Sequence, residues 1–192
     1  MKNKIFVAID TKSKKKAMSI INQSKLNNFK IGFKFGLEFL NSKNGRNFIS
    51  KLRKKIIFID LKLHDIPNTM KSTIIALKDL KINYLTVHIS AGLKALKDVK
   101  KVSGKTKIVG VTTLTSLDSK DLRDIGHKKS LKDIVITQSK LAKKAKLDGI
   151  VCSPREIKYV KKIFKKEIIT PGIRISLKLN DQKRVMTPKE AF

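Results

Sequence analysis

The chain has 192 residues, 41% of them hydrophobic, and a formal net charge of +30. That length suits one domain with a substantial core, expected to span residues 1–192. A single cysteine, Cys152, excludes an internal disulfide, and no apolar run approaches the ~20 residues that cross a bilayer.

The first strand-like run, Ile5–Ile9, follows Met1-Lys2-Asn3-Lys4 directly and is too short for a signal-peptide core. Further β-like runs are Phe29–Gly32, Ile56–Leu61, Tyr84–His88, Lys107–Val111, Gly149–Cys152 and Ile168–Thr170. Apolar residues at three-to-four spacing predict helices over Lys14–Ser24, Thr69–Leu80, Ser130–Ala145 and Pro154–Phe164. The polar insert Leu117–Lys129 reads as a loop with a short helical turn. Strands alternating with helices imply a parallel α/β sheet with right-handed crossovers. Seven such units exceed a small doubly wound sheet and predict a (β/α)8 TIM barrel, incomplete at its C-terminus. Catalytic side chains of such barrels gather at the C-terminal ends of the strands.

The charge excess is mostly lysine, spread over the whole length, with only six arginines. Few aromatics interleave with it as stacking platforms would. A lysine-rich solvated surface explains it better than a nucleic-acid interface, and neither nucleic acid nor a membrane is expected as a partner. The field still attracts small anions such as phosphates.

The third run carries Asp60, Lys62 and Asp65 at or just past its C-terminal end. Asp60 and Lys62 are two apart and share one side of a strand. Charges in that position are costly unless they pair. A lysine held between carboxylates stays charged and can deliver a proton to a carbanion. A structural ion-pair ladder fits this segment equally well on its own.

His64 has the opposite strand parity from Lys62 and reads as a packing or hydrogen-bonding histidine. His88 is a weaker cavity candidate, and His127 reads as solvated. The histidines and Cys152 give no metal-ligand spacing, so no zinc is expected. Asp60 and Asp65 are conceivable Mg²⁺ ligands, but Lys62 between them competes for their charge. Thr170-Pro171-Gly172-Ile173-Arg174 combines a glycine that permits close approach with an arginine fork suited to phosphate. Neither a Walker loop nor a dinucleotide glycine fingerprint occurs.

Taken in order, several stretches resemble the orotidine 5′-phosphate decarboxylase family of bacterial type. They are Val7–Asp10, Phe29–Gly32, Phe58–Thr69, Val87-His88, Val111–Ser116, Leu147–Ser153, Thr170–Arg174 and Asp181–Val185. The most specific is Asp60-Leu-Lys-Leu-His-Asp-Ile-Pro-Asn-Thr69. The resemblance implies decarboxylation of orotidine 5′-phosphate to UMP in pyrimidine synthesis with neither cofactor nor metal; the single cysteine and the lack of a signal-like or membrane-spanning run lead to the expectation of a cytoplasmic protein. It implies that Asp10 and Lys30 hold the ribose hydroxyls, Lys30 also joining the charged array. Asp60 would sit against the substrate carboxylate and Lys62 would protonate C6. Asp65 and Thr69 would reach into the site of a neighbouring subunit, making a homodimer with shared sites. Thr115 would meet the pyrimidine ring, and Arg174 and Gln182 the phosphate.

The chain departs from the family in lacking an eighth strand ending in a Gly-Arg pair. That motivates the expectation of a truncated version with poor folding or reduced activity, or an inactive remnant. Two other readings are a related Mg²⁺-dependent sugar-phosphate decarboxylase or aldolase and, from another class, a nucleic-acid-binding protein.

Overall fold

A computed structural model describes residues 4–173 and Thr187. Its strands are β1 (Lys4–Ala8), β2 (Lys30–Gly36), β3 (Ile56–Leu63), β4 (Tyr84–His88), β5 (Lys107–Val111), β6 (Gly149–Val151) and β7 (Glu167–Ile169). Each of the seven contains or overlaps an expected run. Between them lie α1 (Lys14–Gln23), α2 (Leu37–Leu40), α3 (Gly45–Ser50), α4 (Pro67–Ala76), α5 (Gly92–Val102), α6 (Ser119–Asp124), α7 (Leu131–Lys144) and α8 (Ile157–Ile163). The strands form one sheet in the order β1-β2-β3-β4-β5-β6-β7, and every neighbouring pair is parallel.

The sheet curls far enough for side chains of its two edge strands to meet. Lys4 of β1 bonds to Glu167 of β7, although five strands lie between them in the order. Tyr84 of β4 completes the crossing: its hydroxyl receives a bond from Lys4 and lies 3.1 Å from Glu167 Oε1. Lys107 of β5 adds its ammonium to Glu167 at 3.0 Å. This knot spans the N-terminal mouth. Burial raises the Glu167 pKa, but the hydrogen bonds and charges of Lys4 and Lys107 outweigh it and hold the carboxyl below its usual range.

Strand alternation divides the side chains into two sets. Phe6, Ile56, Phe58, Tyr84, Val109, Val151 and Ile169 point into the barrel and form a small inner core. The rings of Phe6, Phe58 and Tyr84 meet there with centroids 5.0–5.7 Å apart. The opposite faces pack against the helices and make the larger core. Phe35 of β2, fully buried, meets Phe39 of α2 at 5.0 Å, and Phe39 meets Phe48 of α3 at 5.2 Å. Burying each such ring contributes about 1.5–3 kcal/mol.

Local chemistry starts and stops the helices. Ser13 caps α1 and Ser130 caps α7 through their hydroxyls, while Asp118 and Asp121 form a reciprocal capping box on α6. Pro67 opens α4, where its missing N–H costs nothing. The expected set has no helix where α5 lies, yet Ala95, Leu96 and Val99 recur at helical spacing and are all fully buried. Helices α2 and α3 are also absent from the expected set; each is under two turns long, too short for a clear period. Among the described residues, no helix is long and apolar enough to cross a membrane.

Candidate active site

The inward positions of β3 are Ile56, Phe58, Asp60 and Lys62. The first two complete the apolar floor, and the next two rise above it at the C-terminal mouth. Asp60 is 9% exposed. Its Oδ2 accepts from Lys62 Nζ at 2.9 Å and from Lys34 Nζ at 3.2 Å. Its Oδ1 accepts from the Thr86 hydroxyl at 2.8 Å. Burial raises the Asp60 pKa, but the two ammoniums and the hydrogen bonds from Lys62 and Thr86 prevail, so the carboxyl stays below its usual range.

Lys34 replaces Lys30 in the array. Lys30 sits at the start of β2, in register with Lys4, and is exposed at the opposite end of the barrel. There it lines a cavity of about 210 Å³ with Lys4, Lys105 and Lys107. Four residues of strand, about 13 Å, separate it from Lys34. The expected second strand ended at Gly32, whereas β2 continues to Gly36. The alternation Lys30, Gly32, Lys34, Gly36 carries the inward face up to the mouth, and the Gly36–Asp60 register brings Lys34 beside Asp60. That alternation was the available signal.

At Lys62 the ladder between β3 and β4 is irregular. Ile59 faces Leu85 and Leu63 faces Val87, so β3 spends four residues where β4 spends two. Lys62 takes φ 49°, a left-handed conformation that costs a lysine about 1–2 kcal/mol. Its N–H bonds to Thr86 Oγ1 at 2.8 Å. The lysine side chain is 39% exposed and opens towards the mouth. Bulges of this kind re-aim side chains next to active sites.

Other expected residues surround this mouth without joining the array. Asp10 lies exposed two residues past β1, next to Ile9, whose N–H bonds to the Lys34 carbonyl at 2.9 Å. Thr115 is half-buried in the turn after β5. Asp65 is exposed, and its carboxylate accepts the Ile66 N–H at 2.7 Å. Thr69 is exposed in the first turn of α4. The rings of His64 and His88 lie 5.3 Å apart beside the array. Burial lowers the His88 pKa, His64 and Lys62 add to the effect, and Asp60 opposes it. Arg174 and Gln182 lie outside the described residues. Thr86, 1% exposed, is the second participant that the sequence reading did not single out; its signal is a hydroxyl on the inward parity of β4, between Leu85 and Val87.

An anion pinned between two ammoniums at a barrel mouth can press against a bound carboxylate and hold an acid beside the atom that loses it. Comparisons with known proteins show which family the chain resembles. A family model described as orotidine 5′-phosphate decarboxylase / HUMPS family matches residues 3–192. The orotidine 5′-phosphate decarboxylase of Wolbachia sp. subsp. Brugia malayi is 43% identical over 197 residues, covering 99% of this chain and 86% of that protein. The crystal structure of the orotidine 5′-phosphate decarboxylase of Lactobacillus acidophilus superposes with a TM-score of 0.82 at 30% identity, covering 98% of this chain and 85% of that one. That of Methanocaldococcus jannaschii, complexed with an inhibitor, BMP, gives 0.77 at 25% identity, covering 100% and 84%. The chain therefore belongs to the orotidine 5′-phosphate decarboxylase / HUMPS family.

Proposed function

We infer that the chain decarboxylates orotidine 5′-phosphate to UMP in de novo pyrimidine biosynthesis, with Lys62 as the proton donor. The observation that carries this reading is Asp60 Oδ2 held between the Lys34 and Lys62 ammoniums on the floor of the mouth. The relatives' names supply the substrate; the array supplies the chemistry.

In this mechanism the substrate carboxylate is seated against Asp60. The C6–carboxylate bond breaks, carbon dioxide leaves, and the electron pair stays on C6. The Lys62 ammonium passes one proton to that carbon, and the resulting amine regains a proton from solvent. Preorganised cations stabilise the developing carbanion without reorganising. Binding of the remote phosphate supplies energy used at the ring. The proposed reaction uses neither a cofactor nor a metal.

Asp10 and Lys34 serve the ribose side, with Lys34 taking the part first expected of Lys30. Thr115 meets the pyrimidine, and Arg174 and Gln182 take the phosphate. The enzyme works in the cytoplasm as a homodimer of single-domain barrels, Asp65 and Thr69 entering the partner's site. The exposure of Asp65, Thr69 and Ile66 beside the mouth supports that arrangement.

The test is carbon dioxide release from orotidine 5′-phosphate by the purified chain, with Lys62→Ala as the control. Turnover that vanishes in the variant is the expected result. Equal turnover in both removes Lys62 from the mechanism, and a folded chain without turnover overturns the assignment of activity.

A further inference from the structure

Thr86 makes two hydrogen bonds whose direction is fixed. The Lys62 backbone N–H can only donate, so Thr86 Oγ1 accepts it at 2.8 Å. The ionised Asp60 carboxylate can only accept, so the single hydroxyl proton of Thr86 goes to Oδ1 at 2.8 Å. One buried hydroxyl therefore joins the backbone of the proposed acid to the anion beside it. Two further features single out this joint. Four described non-glycine residues have positive φ: Asn44, Lys62, Lys81 and Lys146. Lys62 alone of them lies inside a strand; the others flank helical segments. And with Oδ1 occupied by Thr86, both ammoniums, Lys34 and Lys62, converge on Oδ2.

We propose that Thr86 is a positioning residue of the reaction: its hydroxyl sets which oxygen of Asp60 faces the two ammoniums and where Lys62 leaves the ladder. Thr86 acts through Asp60 and Lys62 and touches no reacting atom. Removing the hydroxyl strips Oδ1 of its donor and the left-handed Lys62 of its backbone partner at once. Asp60 then turns between Lys34 and Lys62, and the Lys62 ammonium loses its fixed reach. The charged groups around Asp60 are Lys34 from β2, Lys62 from β3 and the titratable His88 from β4. None of the three is altered when Thr86 is changed.

The decisive comparison is Thr86→Val, nearly isosteric but without the hydroxyl, against Thr86→Ser, which keeps it. For Thr86→Val, kcat should fall about 10- to 100-fold, with KM moving less than about 3-fold. Thr86→Ser should retain kcat within about 3-fold. The Asp60 carboxyl, followed by ¹³C NMR, should titrate at higher pH in Thr86→Val and at the wild-type pH in Thr86→Ser. A purely structural threonine would lower the melting temperature of Thr86→Val and leave that titration where it was. Unchanged titration, unchanged kcat, or a serine variant as impaired as the valine one overturns the proposal. Hydrogen exchange of the wild-type Lys62 amide needs no variant to fold: slow exchange is expected, and exchange at the rate of a free loop amide overturns it. The kinetic arm rests on the decarboxylase reading. If the wild-type chain does not turn over orotidine 5′-phosphate, that reading fails, while titration and exchange still judge Thr86.

Discussion

Lys34 Nζ reaches Asp60 Oδ2 across the β2–β3 ladder, 3.2 Å away, while Lys62 Nζ reaches the same oxygen from within β3 at 2.9 Å. Two ammoniums on one oxygen repel each other, and the buried carboxylate is what holds them together. Removing Lys34 takes one of the two cations from Asp60 and removes the repulsion that fixes where Lys62 sits on Oδ2. Lys34→Ala is therefore expected to lower kcat/KM for orotidine 5′-phosphate by roughly 100-fold or more. Lys30→Ala, altered at the other end of the same strand, should stay within about 2-fold of wild type. Steady-state assays of the two variants side by side check this. The reverse ranking would return the second lysine of the array to position 30.

The pH dependence of stability follows from the Asp60 carboxyl. Its pKa in the folded chain lies below the ordinary value of 3.8. Folding therefore favours its charged form, and the stabilisation is fully present above that ordinary value. It is lost as pH falls from about 3.8 through the lowered folded value. Asp60→Asn removes the charge and leaves Lys34 and Lys62 facing each other. At pH 7 the variant should be about 1–3 kcal/mol less stable than wild type. The gap should begin to narrow only below about pH 3.8, where the unfolded carboxyl takes up its proton, and should close as pH falls through the lowered folded value. Urea melts at pH 7 and at a series of pH values below 3.8 measure both, and a gap that widens in acid contradicts the ion-pair account.

The strands were legible because most of them read as apolar runs of strand length. β2 was the instructive failure. Gly32 and Lys34 interrupt its apolar pattern, so it read as ending where its inward face becomes small and then charged. A Cβ at Gly32 would lie 2.7 Å from the Phe6 ring, so the glycine makes room for that ring in the barrel interior. Asp60 and Lys62 stood out because charges at the end of an apolar strand are costly to bury. Lys34 and Thr86 did not, because their value lies in the register. Lys34 and Thr86 each lie 26 residues from Asp60, and only the pairing of β2, β3 and β4 brings them to it.

At the other mouth, Glu167 gathers Lys4, Lys107 and the Tyr84 hydroxyl, and Lys4 joins the first strand to the last. Its carboxyl is held below the ordinary 4.5, so its contribution is complete above that value and fades as pH drops through the folded one. Lys107 is half-exposed, which discounts its share. Glu167→Ala should cost about 1–2 kcal/mol, or about 2–8 °C in melting temperature for a chain of this size. Below about pH 4 the difference should shrink. Because the knot lies beneath the aromatic floor of Phe6, Phe58 and Tyr84, kcat at 25 °C should stay within about 2-fold. A large loss of kcat with an unchanged melting temperature would mean that the two mouths are coupled.

Shared sites make a prediction that single variants cannot test. Asp65 is exposed and takes no part in the Asp60 array of its own chain. Suppose it completes the site of a partner. Lys62→Ala and Asp65→Ala are then each inactive alone. In a mixed dimer, one site combines both defects, and the other combines the intact Lys62 of one subunit with the intact Asp65 of its partner. Random re-association puts half of all dimers in the mixed form, so the mixture should recover roughly a quarter of wild-type turnover. Unfolding the two variants together and refolding them allows exchange, and an assay before and after reads the gain. If Asp65 serves the site of its own chain, every site in the mixture keeps one defect and no recovery occurs. The outcome therefore assigns Asp65 to one subunit or the other, whatever the absolute rate of the enzyme.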